Sequence, residues 1–176
     1  MSLIRHAHSF VVRVETDRRV FTKTVAYSNG YGYPRVVALR PINRLRGLEV
    51  EVRLWQGAAN NALVFYTLDR GQLVTMTGAP QSSSSLAGVW DLGGTIGTGS
   101  TEADCIPSRQ VGLVKRWHYR GRWHYRAARY AVRATRFVRT GVYKLDSEQL
   151  ISTLPRDWPQ LKGLDFSSCG GVVARQ

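Results

Sequence analysis

Residues 116–126 read Arg-Trp-His-Tyr-Arg-Gly-Arg-Trp-His-Tyr-Arg, one five-residue unit written twice around Gly121. Arg116, His118, Arg120, Arg122, His124 and Arg126 take every second position, and Trp117, Tyr119, Trp123 and Tyr125 lie among those between. A period of two is the pattern of an extended strand with unlike faces, because successive side chains leave a strand on opposite sides. The unit is read either as one long strand or as a hairpin hinged at Gly121. Taken with period two, the guanidinium groups are expected on one face and the aromatic rings on the other.

Past Arg126 the spacing changes. Arg122, Arg126, Arg129, Arg133 and Arg136 step by four and three, as do Trp123, Ala127, Tyr130, Ala134 and Phe137. That is a helical stripe, and Ala and Arg favour helix. Tyr130, Val132 and Thr135 to Val138 suit a pleated surface equally well, so helix and strand both stand for 127–139.

Elsewhere the chain reads as short strands between turn residues. Phe10 to Tyr27 suggests two strands with a break at Thr16 to Arg19. Asn29-Gly30 and Pro34 mark a reversal, and Arg35 to Arg40 forms a further strand. Leu48 to Trp55 alternates, with Leu48, Val50, Val52 and Leu54 expected inward and Glu49, Glu51 and Arg53 outward. Ala62 to Leu68 and Leu73 to Met76 flank a turn at Asp69-Arg70-Gly71. The Gly/Ser-rich stretch 78–100 is expected as surface loop around an apolar piece at 86–92. Asp146 to Ile151 reads as an acid-started turn of helix ended by Pro155, and the tail as mostly irregular. Seven or more short strands with little helix predict an all-β protein, or a β-rich one with one short helix: a single-domain β-sandwich, jelly-roll-like, over residues 1–176.

Charge narrows the partner. The 176 residues carry a formal net charge of +13. Eleven basic residues lie between Arg109 and Lys144 with no Asp or Glu among them. Such a concentration of like charge repels itself and costs stability unless an anion comes to meet it. With 5 Trp, 8 Tyr and 5 Phe the chain has the apolar surface for a core, which argues against disorder. The composition also argues against a collagen, coiled-coil or disulfide-framework protein. No apolar run approaches a transmembrane span, and the first residues do not read as a secretory signal. Cys105 and Cys169, far apart and without metal-type spacing, read as reduced, mostly buried thiols.

Arginine beside aromatic rings is what single-stranded nucleic acid requires: guanidinium neutralises phosphate, and flat rings accept unpaired bases. The expected phosphate contacts are Lys115, Arg116, Arg120, Arg122, Arg126, Arg129, Arg133, Arg136 and Arg139, with Trp117 and Trp123 as candidate stacking residues. The competing reading makes the rings core residues of an amphipathic strand. Catalytic readings are thinner. Gly94 to Thr101 has the glycine spacing of a phosphate-binding loop, but Ser100 stands where Lys is required. His6 and His8 lack a third ligand, so no metal and no other cofactor is expected. His118 and His124, oriented by Asp69, Glu102 or Asp104, would be the general acid and base of an alternative phosphodiesterase or ribonuclease. Cys105 as a nucleophile and membrane-surface binding through the arginines are weaker still.

The run Gly93-Gly94-Thr95-Ile96-Gly97-Thr98-Gly99-Ser100-Thr101-Glu102-Ala103-Asp104-Cys105, followed by Arg109 and by Val114-Lys115-Arg116, is similar to a Gly-rich, acid-then-Cys loop before a basic strand in nanovirus-type single-stranded DNA virus coat proteins. The whole chain also resembles the coat proteins of small plant viruses and satellite viruses. That resemblance implies a jelly-roll shell subunit that self-associates, packages a genome and resides in the virion or in the host cytoplasm or nucleus. It departs in one respect: the first twelve residues hold Arg5 and two His rather than a basic arm, so genome contact would fall on 109–144. The resulting expectation is a non-enzymatic protein binding RNA or DNA single strands and itself, with a non-capsid nucleic-acid binder (a movement or silencing protein, or a cellular single-strand binder) as the alternative.

Overall fold

The computed structural model describes residues 1–6, 8–26, 34–43, 47–80, 88–95, 99–106, 110–151 and 166–173. The strands are β1 (Ser2–His6), β2 (Ser9–Glu15), β3 (Val20–Ala26), β4 (Arg35–Arg40), β5 (Glu49–Gln56), β6 (Asn60–Asp69), β7 (Gln72–Thr75), β8 (Trp90–Thr95), β9 (Gly99–Ile106), β10 (Gln110–Tyr119), β11 (Arg122–Arg133), β12 (Arg136–Ser147) and β13 (Val172–Val173). The expected all-β, sandwich-like single domain is what forms. β1, β2 and β3 make one sheet; the other runs β12-β11-β10-β9-β8-β6-β5-β4-β13, with β7 beside β6. Most neighbours are consecutive in sequence, so the large sheet is mainly a meander of hairpins, without the crossovers of a jelly roll.

β6 organises the two cores because both of its faces are covered. Leu63 and Phe65 face one cluster with Met76, Trp90, Leu92, Ala103, Val111, Ala128, Tyr130, Phe137 and Phe166. Ala62, Val64 and Tyr66 face the other, with Phe10 and Val12 of the small sheet and Val50 and Val52 of β5. For residues from β6 through β12 to share the first cluster, the large sheet must curl. Its far edge returns to the segment after β7, where Thr77 N–H donates to Thr135 O at 2.9 Å and Phe137 N–H to Thr77 O at 2.8 Å. Trp90 sits in the curl with edge-to-face contacts to Phe137, Phe166 and Tyr130, at centroid distances of 5.0, 5.3 and 5.5 Å.

Several local expectations change. Residues 127–139 are strand throughout, apart from the turn between β11 and β12, where Ala134 has φ 50°. The 3.6-like arginine spacing is overridden by pairing on both sides of β11. Asp146 and Ser147 end β12 rather than start a helix; 152–165, with Pro155, lie outside the described residues. The only helical turn among the described residues is a short 3₁₀ segment, Ser167–Cys169. The Gly-rich loop is a hairpin of β8 and β9. Gly93 is needed there because a side chain would collide with the Ala59 carbonyl, so these glycines serve close backbone approach; the tip, 96–98, is not described.

Glu49 and Glu51 are buried, against expectation, while Leu48 is 42% exposed. β5 is an interior strand, so the face read as solvated is covered too. The charges are matched internally: Arg40 Nε donates to Glu51 Oε2 at 2.7 Å and its Nη1 to Gly170 O at 3.0 Å. Glu49 accepts from the Ile42 and Asn43 amides at 2.7 and 3.1 Å and from the Thr67 hydroxyl at 3.3 Å. Burial pushes the Glu49 carboxyl above the usual range, opposed by these hydrogen bonds.

The thiols are not free. Cys105 and Cys169 form a disulfide across 64 residues of sequence. Beside it, Asp104 Oδ1 accepts from the Cys105 and Ser168 amides at 2.8 and 3.0 Å, which pins the C-terminal segment to β9 and seats Phe166 in the core.

Two outcomes follow. Replacing both cysteines by Ser opens a long loop and costs about 4 kcal/mol on loop-closure grounds, read as a lower melting temperature; an unchanged melt would contradict the pinning role. Glu49 has a folded pKa above its unfolded one, so its contribution is greatest at low pH and is lost as pH rises through the folded value. Melting of Glu49→Gln should therefore improve relative to wild type between pH 4 and pH 7, and a constant difference would contradict the burial argument.

Candidate nucleic-acid interface

The duplicated unit folds as the hairpin. Arg120 and Gly121 are the turn, with φ 50° and 76°, the left-handed pair that joins tightly twisted strands. A two-residue turn fixes the register: Lys115 opposes Arg126, Arg116 opposes Tyr125, Trp117 opposes His124, His118 opposes Trp123 and Tyr119 opposes Arg122. Directly opposed residues share a face. The reversal therefore exchanges the faces, and the row of arginines expected on one side divides between two.

One face carries Lys115, Trp117 and Tyr119 from β10, Arg122, His124 and Arg126 from β11, and, by the pairing of β12, Lys144 and Asp146. Arg139, opposite Tyr130, belongs to the same side farther along. The other face carries Arg116, His118, Trp123, Tyr125, Arg129, Arg133 and Arg136. Arg120 is in the turn, its guanidinium 5.1 Å from the Tyr119 ring. Arg109 lies outside the described residues. The acid-free stretch is also met by carboxylates from elsewhere: Arg116 pairs with Glu102 and donates to Ser100 Oγ at 2.6 Å, and Arg126 pairs with Asp146.

The two tryptophans part company. Trp123 packs beside Val114, Tyr125, Ala127, Tyr143, Leu145 and Ile151, the apolar role of the competing reading. Trp117 is half-buried and stands among charges. His124 stacks on it at 5.4 Å between centroids with 21° between planes; the Arg126 guanidinium lies 5.3 Å and the Lys115 ammonium 6.0 Å from its ring centre. Tyr119 beside it is 55% exposed.

Asp146 ties this group together. Its Oδ1 lies 2.9 Å from His124 Nδ1 and accepts from Arg126 Nη1 at 3.0 Å. The Arg126 hydrogen bond, then that of His124, holds the Asp146 carboxyl below the usual range. Lys144, Tyr119 and Asp146 were not among the contacts expected from the sequence; joining the two copies of the unit through a tight turn at Gly121 would have placed Tyr119 beside Arg122, whereas the β12 residues needed the next hairpin as well.

Other constellations do not assemble. His118 and His124 project from opposite faces and do not converge on one phosphate, Asp104 is committed to two amides, and Cys105 is in the disulfide. Among the described residues no three His, Cys, Asp or Glu come together as a metal site, and no helix is long and apolar enough to cross a membrane. Comparison with protein-family models, curated proteins and solved structures finds no match.

The turn is testable alone. Gly121 has open space around it but a positive φ, so Gly121→Ala should cost about 1 kcal/mol and Gly121→Asn less, measured by chemical denaturation; equal stability of both variants and wild type would contradict the turn assignment.

Proposed function

We propose that the protein binds single-stranded nucleic acid without catalysis, through the Trp117 face of β10, β11 and β12, and that it does so as a self-assembling coat subunit. The observation that carries the binding reading is Trp117, a half-buried ring set between Arg126, Lys115 and His124. Lys115, Arg122, Arg126 and Lys144 stand on that face with Asp146 as the acid among them. Cations at strand spacing track a phosphate backbone while a ring accepts a base, and an unpaired base is required because the bases of a duplex are already stacked. Arg116, Arg129, Arg133 and Arg136 stand on the reverse face and contribute long-range attraction rather than direct contact.

The coat setting is supported by the single all-β domain, by the net charge of +13 and by the likeness of residues 93–116 to a coat-protein segment. It places the Trp117 face toward a packaged genome. Electron microscopy of the purified protein, with its ratio of absorbance at 260 and 280 nm, separates shell from binder: uniform particles containing nucleic acid support the coat, and small monodisperse species leave the binding module alone.

Binding is tested by fluorescence titration with a short oligothymidylate. Four phosphate contacts on a single strand give a slope near −3 of log affinity against log salt. Trp117→Ala should weaken binding about tenfold, the size of one lost stacking contact, and Arg116→Ala far less. A flat salt response, or equal effects of the two substitutions, would overturn the reading.

A further inference from the structure

His124 Nδ1 and Arg126 Nη1 lie at 2.9 and 3.0 Å from one oxygen, Asp146 Oδ1. Two nitrogen groups aimed at one anionic oxygen is the arrangement that holds a phosphodiester, and here a side chain of the protein's own occupies it. The donors are supported independently of that carboxylate. Arg126 Nη1 also donates to Tyr125 O at 2.8 Å, and its guanidinium lies over Trp117. His124 is stacked on the same ring, with Nε2 at 3.4 Å from Tyr119 O. The carboxylate has more room: its side chain is 48% exposed, against 20% for His124 and 32% for Arg126, and it sits next to the end of β12.

We propose that Arg126 and His124 form a phosphodiester subsite which Asp146 occupies when no ligand is bound, and that an incoming single strand displaces the carboxylate. This rests on the nucleic-acid reading above and gives it an internal competitor. In the empty protein Asp146 offsets the mutual repulsion of Lys115, Arg122, Arg126 and Lys144. In the complex a phosphate oxygen replaces Asp146 Oδ1, and the neighbouring base meets Trp117. Because the competitor is tethered, its effective concentration is high; a lone monovalent anion displaces it poorly, whereas a strand that also brings a base and further phosphates succeeds. The site thereby favours a polynucleotide over free phosphate.

The test compares oligothymidylate binding by wild type, Asp146→Asn, Glu148→Gln and the double variant Arg126→Gln/Asp146→Asn. Glu148 is exposed two residues along, so its substitution measures the long-range effect of losing one negative charge. Circular dichroism melts that overlay wild type establish that each variant is folded. The proposal expects Asp146→Asn to bind about tenfold more tightly than Glu148→Gln, as for one charge-assisted contact released from competition, and the gain to vanish in the double variant. A gain no larger than that of Glu148→Gln, or one surviving loss of Arg126, overturns the displaced-carboxylate proposal while wild-type binding upholds the broader function. Failure of wild type and every variant to bind overturns both.

Discussion

Because only Arg120 and Gly121 separate β10 from β11, both at positive φ, the two copies of the Arg-Trp-His-Tyr-Arg unit meet as antiparallel partners out of phase. Ring faces ring-bearing neighbour in two places, Trp117 with His124 and His118 with Trp123. Neither face is purely cationic or purely aromatic. A single uninterrupted strand would have built a guanidinium rail; the hairpin builds a mixed surface in which each tryptophan takes the character of its side. Trp123 falls beside Tyr125, Tyr143 and Leu145 and packs, whereas Trp117 falls beside Lys115, Arg126 and His124 and stays half-buried among charges.

The rest of the fold holds this surface steady. The curled sheet closes at Thr77, the Arg40–Glu51 pair locks β4 to β5 inside the protein, and the disulfide fixes the C-terminal segment against β9. A buried ion pair is weak support for stability by itself, but removal of one partner leaves an uncompensated charge in the interior. These features restrain the register of β8 to β12, and register decides which charges share a face. A largely exposed pair such as Arg126–Asp146 contributes little to stability and much to the local field.

The strands were largely legible because β-branched and aromatic residues alternated with turn signals: the breaks at Thr16 to Arg19 and at Asp69-Arg70-Gly71 fall where the chain reverses. What pattern did not reveal was position within a sheet. Leu48 to Trp55 has the alternation of a half-exposed strand, yet Glu49 and Glu51 are interior because the strand has neighbours on both edges and cover on both faces. The disulfide was hidden for a similar reason: Cys169 reaches Cys105 only through the docking of Phe166 and the Ser168 amide, contacts separated by more than sixty positions. At the site, the hairpin register brings Trp117, Arg122 and Arg126 to one side, but the single guanidinium face was not realised. Asp146 lay just beyond the acid-free segment and mattered only once β12 was paired with β11.

The most direct test is chemical-shift mapping of the amide and indole signals during titration with a single-stranded oligonucleotide. The account predicts perturbations gathered on Lys115, Trp117, Tyr119, Arg122, His124, Arg126 and Lys144, with the Trp117 indole among the largest and the Trp123 indole nearly still. Perturbations centred on Arg116, Arg129 and Arg133, or spread evenly over both faces, would contradict it.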